Sequence, residues 1–562
     1  MGAILHLRIS PIDFFYSQPG IQYRPQTTIL HSETLTISAQ NVQELIYPCL
    51  SIVNYEEPDS LFTSQVDYLL KFHIATINVF DALPSAKCCA SLYPESRSAA
   101  FQVENARRIS CGGLRVSSDG YPALSNSLFF TCVICTLFVP LAGMGLALIT
   151  TGLSRSRGAS HAILSSLCVS SVAMLVYFAC GFSMQGASGI PSHIFHILGK
   201  RWSLFGNGPL FLHGFTFDLT SAPLVFLFSM FGVALASVIP ISAGTERWKL
   251  VASALSTALF AGVTFPLFAH WVWGGGWLSQ LGSNYGLGHG FLDPGGASCI
   301  HIVGGLTALS ITWIVGPRLG KYTQDGIPSA MPGHHTVLVL SGCMLACIGW
   351  LGLNSAGAIL FAGAQAEQLV PVIIKTTLCG AAAGITALLI TRIRFGRPDA
   401  SLTANGLLCG LVASSAVSAF VSPVSAIVIG IIAGALVLLS IEVVESHMKI
   451  DDPAASISVH GVGGILGILA LGMFAHFTPE QIARISNASA SSDSGQFFAQ
   501  LAGVGALVGL ILPLAYCANW ILNKIYPLRI PMEGERQGID LFELGSGAYP
   551  EFSIHSDDFS HL

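Results

Sequence analysis

The chain has 562 residues, 52% of them hydrophobic and only 10% charged, with a mean hydropathy of +0.65. A soluble domain carries about 25% charged residues, so a water-soluble enzyme or binding domain is excluded. A net charge of −5 without any basic block leaves no footprint for nucleic acid.

Residues 1–125 are mixed in composition. Their apolar runs, such as "LIYPCLSIV", are too short to span a bilayer, and no signal-peptide pattern opens them. They are read as an N-terminal extension without an assigned fold or role; an extracellular extension, a disordered tail and a wrongly placed gene start all fit. From Asn126 the apolar residues fall in blocks near the roughly 20 residues that a spanning helix needs. The blocks run over 126–152, 160–184, 221–243, 248–273, 294–316, 335–356, 366–391, 401–420, 424–445, 458–476 and 497–523. They predict an all-α polytopic membrane protein of eleven spanning helices, with a transmembrane domain over 126–526 and a tail over 527–562. Several blocks are rich in Gly and Ala, as helices that pack closely in lipid require.

Ten of the 14 Cys lie inside these blocks, where Cys behaves as a small hydrophobe. No zinc spacing occurs outside them, so neither a metal site nor a disulfide framework nor a cofactor is expected. No nucleophile–base pair suggests an enzyme. Alternate connections hold Arg155, Arg157, Arg247, Lys249, Arg318, Lys321, Arg392, Arg394, Arg397 and Lys449, and Lys524 and Arg529 follow the last block. The intervening connections hold only Lys200, Arg201 and Arg484. This asymmetry predicts the N-terminus outside and the C-terminus in the cytosol. The Asn-Ala-Ser triplet at 487–489 falls in an outside connection.

One phrase occurs twice. "DPGGASCIHIVGG" at 293–305 opens the fifth block and "DPAASISVHGVGG" at 452–464 opens the tenth. An odd number of spans separates them, so their helices enter from opposite faces. The chain therefore reads as two inverted five-helix repeats plus an eleventh helix, an architecture that puts its site at the repeat interface. Asp is expected at each N-cap with Pro at the first helical position. Eight residues at 1.5 Å rise then carry His301 and His460 roughly 12 Å in from opposite sides. In a core of about 30 Å the two rings come within roughly 6 Å of one depth. A lone His in an apolar helix is usually structural, but two at symmetry-related positions read as a functional pair. Gly304, Gly305, Gly463 and Gly464 read as packing residues.

With these two His on the fifth and tenth of eleven helices, the chain resembles the ammonium transporter (Amt/Mep/Rh) family. "AHWVWGGGWL" at 269–278, "TERWK" at 245–249, "GWLGLNSAG" at 349–357 and the tail "RIPMEGERQGIDLFELGSGAY" at 529–549 carry the likeness further. It covers about 126–549 in order. The resemblance implies a homotrimer in the plasma membrane with one path through each subunit. Ammonium, or methylammonium as its analogue, would be recruited in an outer vestibule by cation–π attraction to Trp273. Asp293 would hold the vestibule backbone. Phe side chains would narrow the path before NH3 passes the His301–His460 pair, with or without a relayed proton.

The chain departs from the family pattern at several places. Phe228 matches the outer Phe; Phe231 matches the inner one with a one-residue shift, Gly232 otherwise occupying that position. Leu353 stands where the family has a Phe beside Asn354. Gly357 replaces the vestibule hydroxyl, with Ser355 close by. Lys375 lies inside the seventh block, where a charge needs a partner or a route to the surface. Trp271 and Trp277 read as interfacial belt residues, His270 as structural, and Glu246 and Asp451 as partners of helix ends; Ser556 reads as one of several modifiable tail serines. Two alternatives stay open: an ammonium sensor with little transport, and a channel for a small neutral gas such as carbon dioxide.

Overall fold

The computed structural model describes residues 124–187, 194–485 and 493–549. Residues 1–123, the triplet at 487–489 and Ser556 lie outside the described residues. Among the described residues, eleven helices are long and apolar enough to cross a membrane: α1 Asn126–Leu153, α2 Ser156–Gln185, α3 Ser221–Gly244, α4 Leu250–Val272, α5 Ala297–Val315, α6 Thr336–Phe361, α7 Ala366–Phe395, α8 Ala400–Val417, α9 Pro423–His447, α10 Ile457–Phe474 and α11 Gln496–Ile525. Apart from a two-stranded ribbon, β1 Phe195–Ile197 paired antiparallel with β2 Lys200–Trp202, the described residues form helices and connections. The chain is an all-α multi-pass membrane protein. α6 runs past its expected end at 356 to Phe361, because "AILF" continues the apolar pattern until Gly363 turns the chain at φ +63°.

Small residues set the helix contacts. A Cβ on Gly145 of α1 would lie 2.5 Å from the carbonyl oxygen of Gly342 on α6, and one on Gly349 of α6 would lie 2.2 Å from the backbone nitrogen of Ala142. Backbones this close are how helices gain dispersion contact in lipid, where no hydrophobic force drives them together. The twin Gly-Gly pairs serve the central crossing of α5 and α10. A Cβ on Gly305 would meet the backbone nitrogen of Gly461 at 2.6 Å, and one on Gly464 the carbonyl oxygen of Ala297 at 2.7 Å.

The structure corrects the expected N-caps of these two helices. Asp293 and Pro294 precede the first helical residue, Ala297, and Asp452 and Pro453 precede Ile457. Three residues after each Asp the chain takes a left-handed conformation, Gly296 at φ +83° and Ala455 at φ +55°. That reversal brings the carboxylate back under the first helical amides, so each Asp caps from outside the helix. Both helices then open with a widened π-helical turn, Ala297–Ile302 and Ile457–Val462, which holds the His. Each imidazole therefore sits about one turn into its helix instead of eight residues in.

The arginine-rich ends are tied by buried ion pairs. Arg318 donates to Asp451 from Nε at 2.9 Å and from a terminal nitrogen at 3.0 Å, and to Glu246 at 2.8 Å. Arg155 pairs with the same Glu246, and Arg247 donates to the Asp451 carbonyl at 2.7 Å. The tail docks here as a short helix, α12 Met532–Gln537, and a turn over Asp540–Leu544. Asp540 accepts from the backbone nitrogens of Ser160 and His161 at 3.1 and 2.8 Å. This places an anion at the positive N-terminal end of α2. Glu543 meets the His161 ring at 2.9 Å and the Leu250 amide at 2.9 Å.

Candidate functional site

At the centre of the α5–α10 crossing, the imidazoles of His301 and His460 stack with ring centroids 5.2 Å apart and an interplanar angle of 22°. His301 is fully buried and His460 is 3% exposed. Both ring nitrogens of His301 and Nδ1 of His460 lack a hydrogen-bond partner among the described residues. Buried polar atoms are normally paired, and leaving one unpaired costs about 1–3 kcal/mol. A structural His would have found a partner. His270 is such a residue: buried, with Nδ1 2.7 Å from the Gln185 carbonyl and Nε2 2.9 Å from the Ser203 hydroxyl.

His301 also stacks on Trp350 of α6, with centroids 5.1 Å apart and an angle of 9°. Trp350 is fully buried and its indole nitrogen donates to the Ser415 hydroxyl at 3.2 Å. The stretch "GWLGLNSAG" does not by itself assign Trp350 a role. The available signal was a Trp deep inside a spanning helix, far from either interface. Beside His460 lies a cavity of about 10 Å³ bordered by Ile239, Ala454 and Val459, no larger than the minimum for one water.

A second cluster sits toward the tryptophan-rich end. The Trp273 indole nitrogen donates to the Asp293 carbonyl at 2.7 Å. The Asp293 carboxylate accepts from the amides of Ala297, Ser298 and Cys299 at 2.7, 2.7 and 3.0 Å, and from the Ser298 hydroxyl at 2.5 Å. Phe228 approaches Trp273 edge-on at 5.6 Å. Phe361, which no sequence motif marks, lies flat on Trp273 at 4.8 Å and 7°. Ser229, next to Phe228, is held by Gln185, which also accepts from the Tyr177 hydroxyl at 2.7 Å.

The helical period joins the two clusters. Trp350, Leu353, Gly357 and Phe361 recur at spacings of three and four, one face of α6. Leu353 is fully buried on that face between Trp350 and Gly357. The Gly at 357 has a steric cause: a Cβ there would lie 2.1 Å from the Pro294 carbonyl oxygen. Asn354 donates to the hydroxyls of Thr376 and Ser414 at 2.9 and 3.0 Å. Its Oδ1 and the Ser355 hydroxyl are buried without a partner among the described residues.

Phe231 is not brought to this cluster. One residue along a helix is a turn of about 100°, and Phe231 borders an apolar cavity of about 520 Å³ between α1, α2 and α3, with Val139, Leu167 and Leu235. Gly232 occupies the inward face instead, where a Cβ would stand 3.2 Å from Ile300 Cδ1. Trp271 is also placed differently from the belt expectation. It is buried, donates to the Leu204 carbonyl at 2.7 Å and packs on Trp277, which stacks on Trp202. Lys375 is 6% exposed and no carboxylate pairs with it among the described residues; nothing in the structure explains it.

The sequence model described as Ammonium Transporter Family matches residues 130–549. The ammonium transporter Amt2 of Archaeoglobus fulgidus is 34% identical over 431 residues, covering 75% of this chain and 88% of its own length. The ammonium transporter of Bacillus subtilis is 29% identical, covering 74% of this chain and 97% of its own length. Among solved structures, one called Sensor Amt Protein superposes with a TM-score of 0.66 at 29% identity, covering 74% of this chain and 98% of its own. Saccharomyces cerevisiae Mep2 superposes with a TM-score of 0.61 at 25% identity, covering 73% and 89%.

Proposed function

The chain belongs to the ammonium transporter family, and from that premise we propose that it conducts ammonium across the plasma membrane through a path inside each subunit of a homotrimer. Residues 126–526 form the transport domain, with the tryptophan-rich end outside and the arginine-rich end and the tail 527–562 in the cytosol. NH4+ collects beside Trp273, whose indole nitrogen is held by the Asp293 carbonyl. It gives up its proton to water on the outer side before the narrow segment, because a dry lumen offers nothing to replace a cation's lost hydration while NH3 needs little. NH3 then passes Phe228 and Leu353, and the unpartnered nitrogens of His301 and His460 offer it successive hydrogen bonds. Asn354 and Ser355 hold unpaired polar atoms behind that lining.

The observation that carries this reading is the stacked imidazole pair whose ring nitrogens are buried without partners. Expression in cells lacking their own ammonium transporters, followed by methylammonium uptake, tests it. Uptake inhibited by ammonium supports the reading; a correctly inserted protein without uptake overturns it.

A second reading is a sensor that binds ammonium and signals through its tail while conducting little. The coverage of Trp273 by Phe361 favours it, as does the likeness to a structure called Sensor Amt Protein. It predicts a signalling defect on deletion of 530–562, and weak uptake that His301→Ala barely alters.

A further inference from the structure

We propose that Phe361 is an aromatic lid on Trp273, covering the indole face that would hold an ammonium or small alkylammonium ion, and that it must swing aside before the cation engages. The proposal rests on the transport reading and adds to it a residue that sets apparent affinity.

A cation–π contact needs the cation over a ring face within about 6 Å of its centroid. Phe361 fills that space on one side, 4.8 Å away and parallel to within 7°. Phe228 closes the edge, 5.6 Å from both rings. Trp273 is left 2% exposed. The indole itself is anchored, since its nitrogen donates to the Asp293 carbonyl. Phe228 is fully buried at mid-helix beside the held Ser229.

Phe361 differs on every count. It is the last residue of α6, only half-buried, and followed by the non-helical Ala362 and Gly363. A half-buried side chain at a helix terminus has rotamer freedom that a packed mid-helix ring lacks. It also falls on the Trp350–Leu353–Gly357 face, so it closes the end of the same lining that reaches His301.

The test is methylammonium uptake kinetics for wild type, Phe361→Ala, Phe361→Leu and Phe361→Ala combined with Trp273→Leu, each at matched surface expression. Removing the lid should lower the half-saturation concentration by roughly 3- to 10-fold, the range of one stacking contact, with maximal rate changed far less. Phe361→Leu should fall between, and Trp273→Leu should erase the gain. Wild-type uptake with an unchanged or raised half-saturation in Phe361→Ala overturns the lid alone. Absence of uptake and of ammonium binding in every variant overturns the transport reading and the lid together.

Discussion

Trp273 and Asp293 are joined by a 2.7 Å hydrogen bond from the indole nitrogen to the backbone carbonyl, while the Asp293 side chain caps the first turn of α5. The Trp273 indole and the helix that carries His301 are thereby one unit. Asp293→Ala removes the acceptor of four donors, three of them buried backbone amides. With about 1 kcal/mol lost per unpaired backbone amide, stability should fall by about 3 kcal/mol. Thermal melting in detergent should record the loss, and uptake should fall with it.

Trp350 is expected to hold His301 by stacking and little else. Trp350→Phe keeps a flat ring against the imidazole but loses the bond to Ser415, so uptake should survive with a reduced maximal rate. Trp350→Ala opens a large buried cavity and should cost about 3–5 kcal/mol. Comparing rate and melting temperature for the two variants separates stacking from packing.

Acid should loosen the arginine-rich ends. Burial pushes the Asp451 carboxyl up, but Arg247 and Arg318 outweigh it and hold the group at about 2. Its unfolded value is about 3.9. A depressed carboxylate contributes stability that is complete above the unfolded value and is lost as pH falls toward the folded one. Melting temperature should therefore drop between about pH 4 and pH 2. Asp451→Asn should be destabilised at neutral pH by about 3 kcal/mol, since it leaves buried arginines without their partner, and it should respond less to acid over that window.

The tail should be released by two small changes. Asp540→Ala removes an anion from the N-terminal amides of α2, worth about 1 kcal/mol, and Glu543→Ala frees His161 and the Leu250 amide. The double variant should expose 530–549 to protease while leaving the spanning helices resistant. An unchanged cleavage pattern would contradict the docking described here.

The sequence makes the spanning helices legible because an apolar run of the required length has few other fates, and the echo of 293–305 at 452–464 makes the His pair legible because symmetry places both at one crossing. Side-chain direction within a helix is less visible. A one-residue shift on α3 sends Phe231 to the α1–α2 side and leaves Gly232 facing Ile300. Phe361 looks in the sequence like any other apolar residue and Trp350 stands out only by its depth in a spanning helix; the importance of both depends on which ring lies opposite. The Asp caps were readable as caps but not as distant ones, because the left-handed residue at 455 is an alanine, which nothing local announces.

Ammonium passage over the His301–His460 pair is read out by methylammonium uptake in cells without their own ammonium transporters, comparing wild type with His301→Ala at equal surface expression. Wild type should show saturable, ammonium-inhibited uptake, reduced roughly tenfold or more in the variant, as loss of a buried polar contact of about 1.4 kcal/mol or greater would give. Equal uptake by the two proteins, or none above background by a correctly assembled wild type, would contradict it.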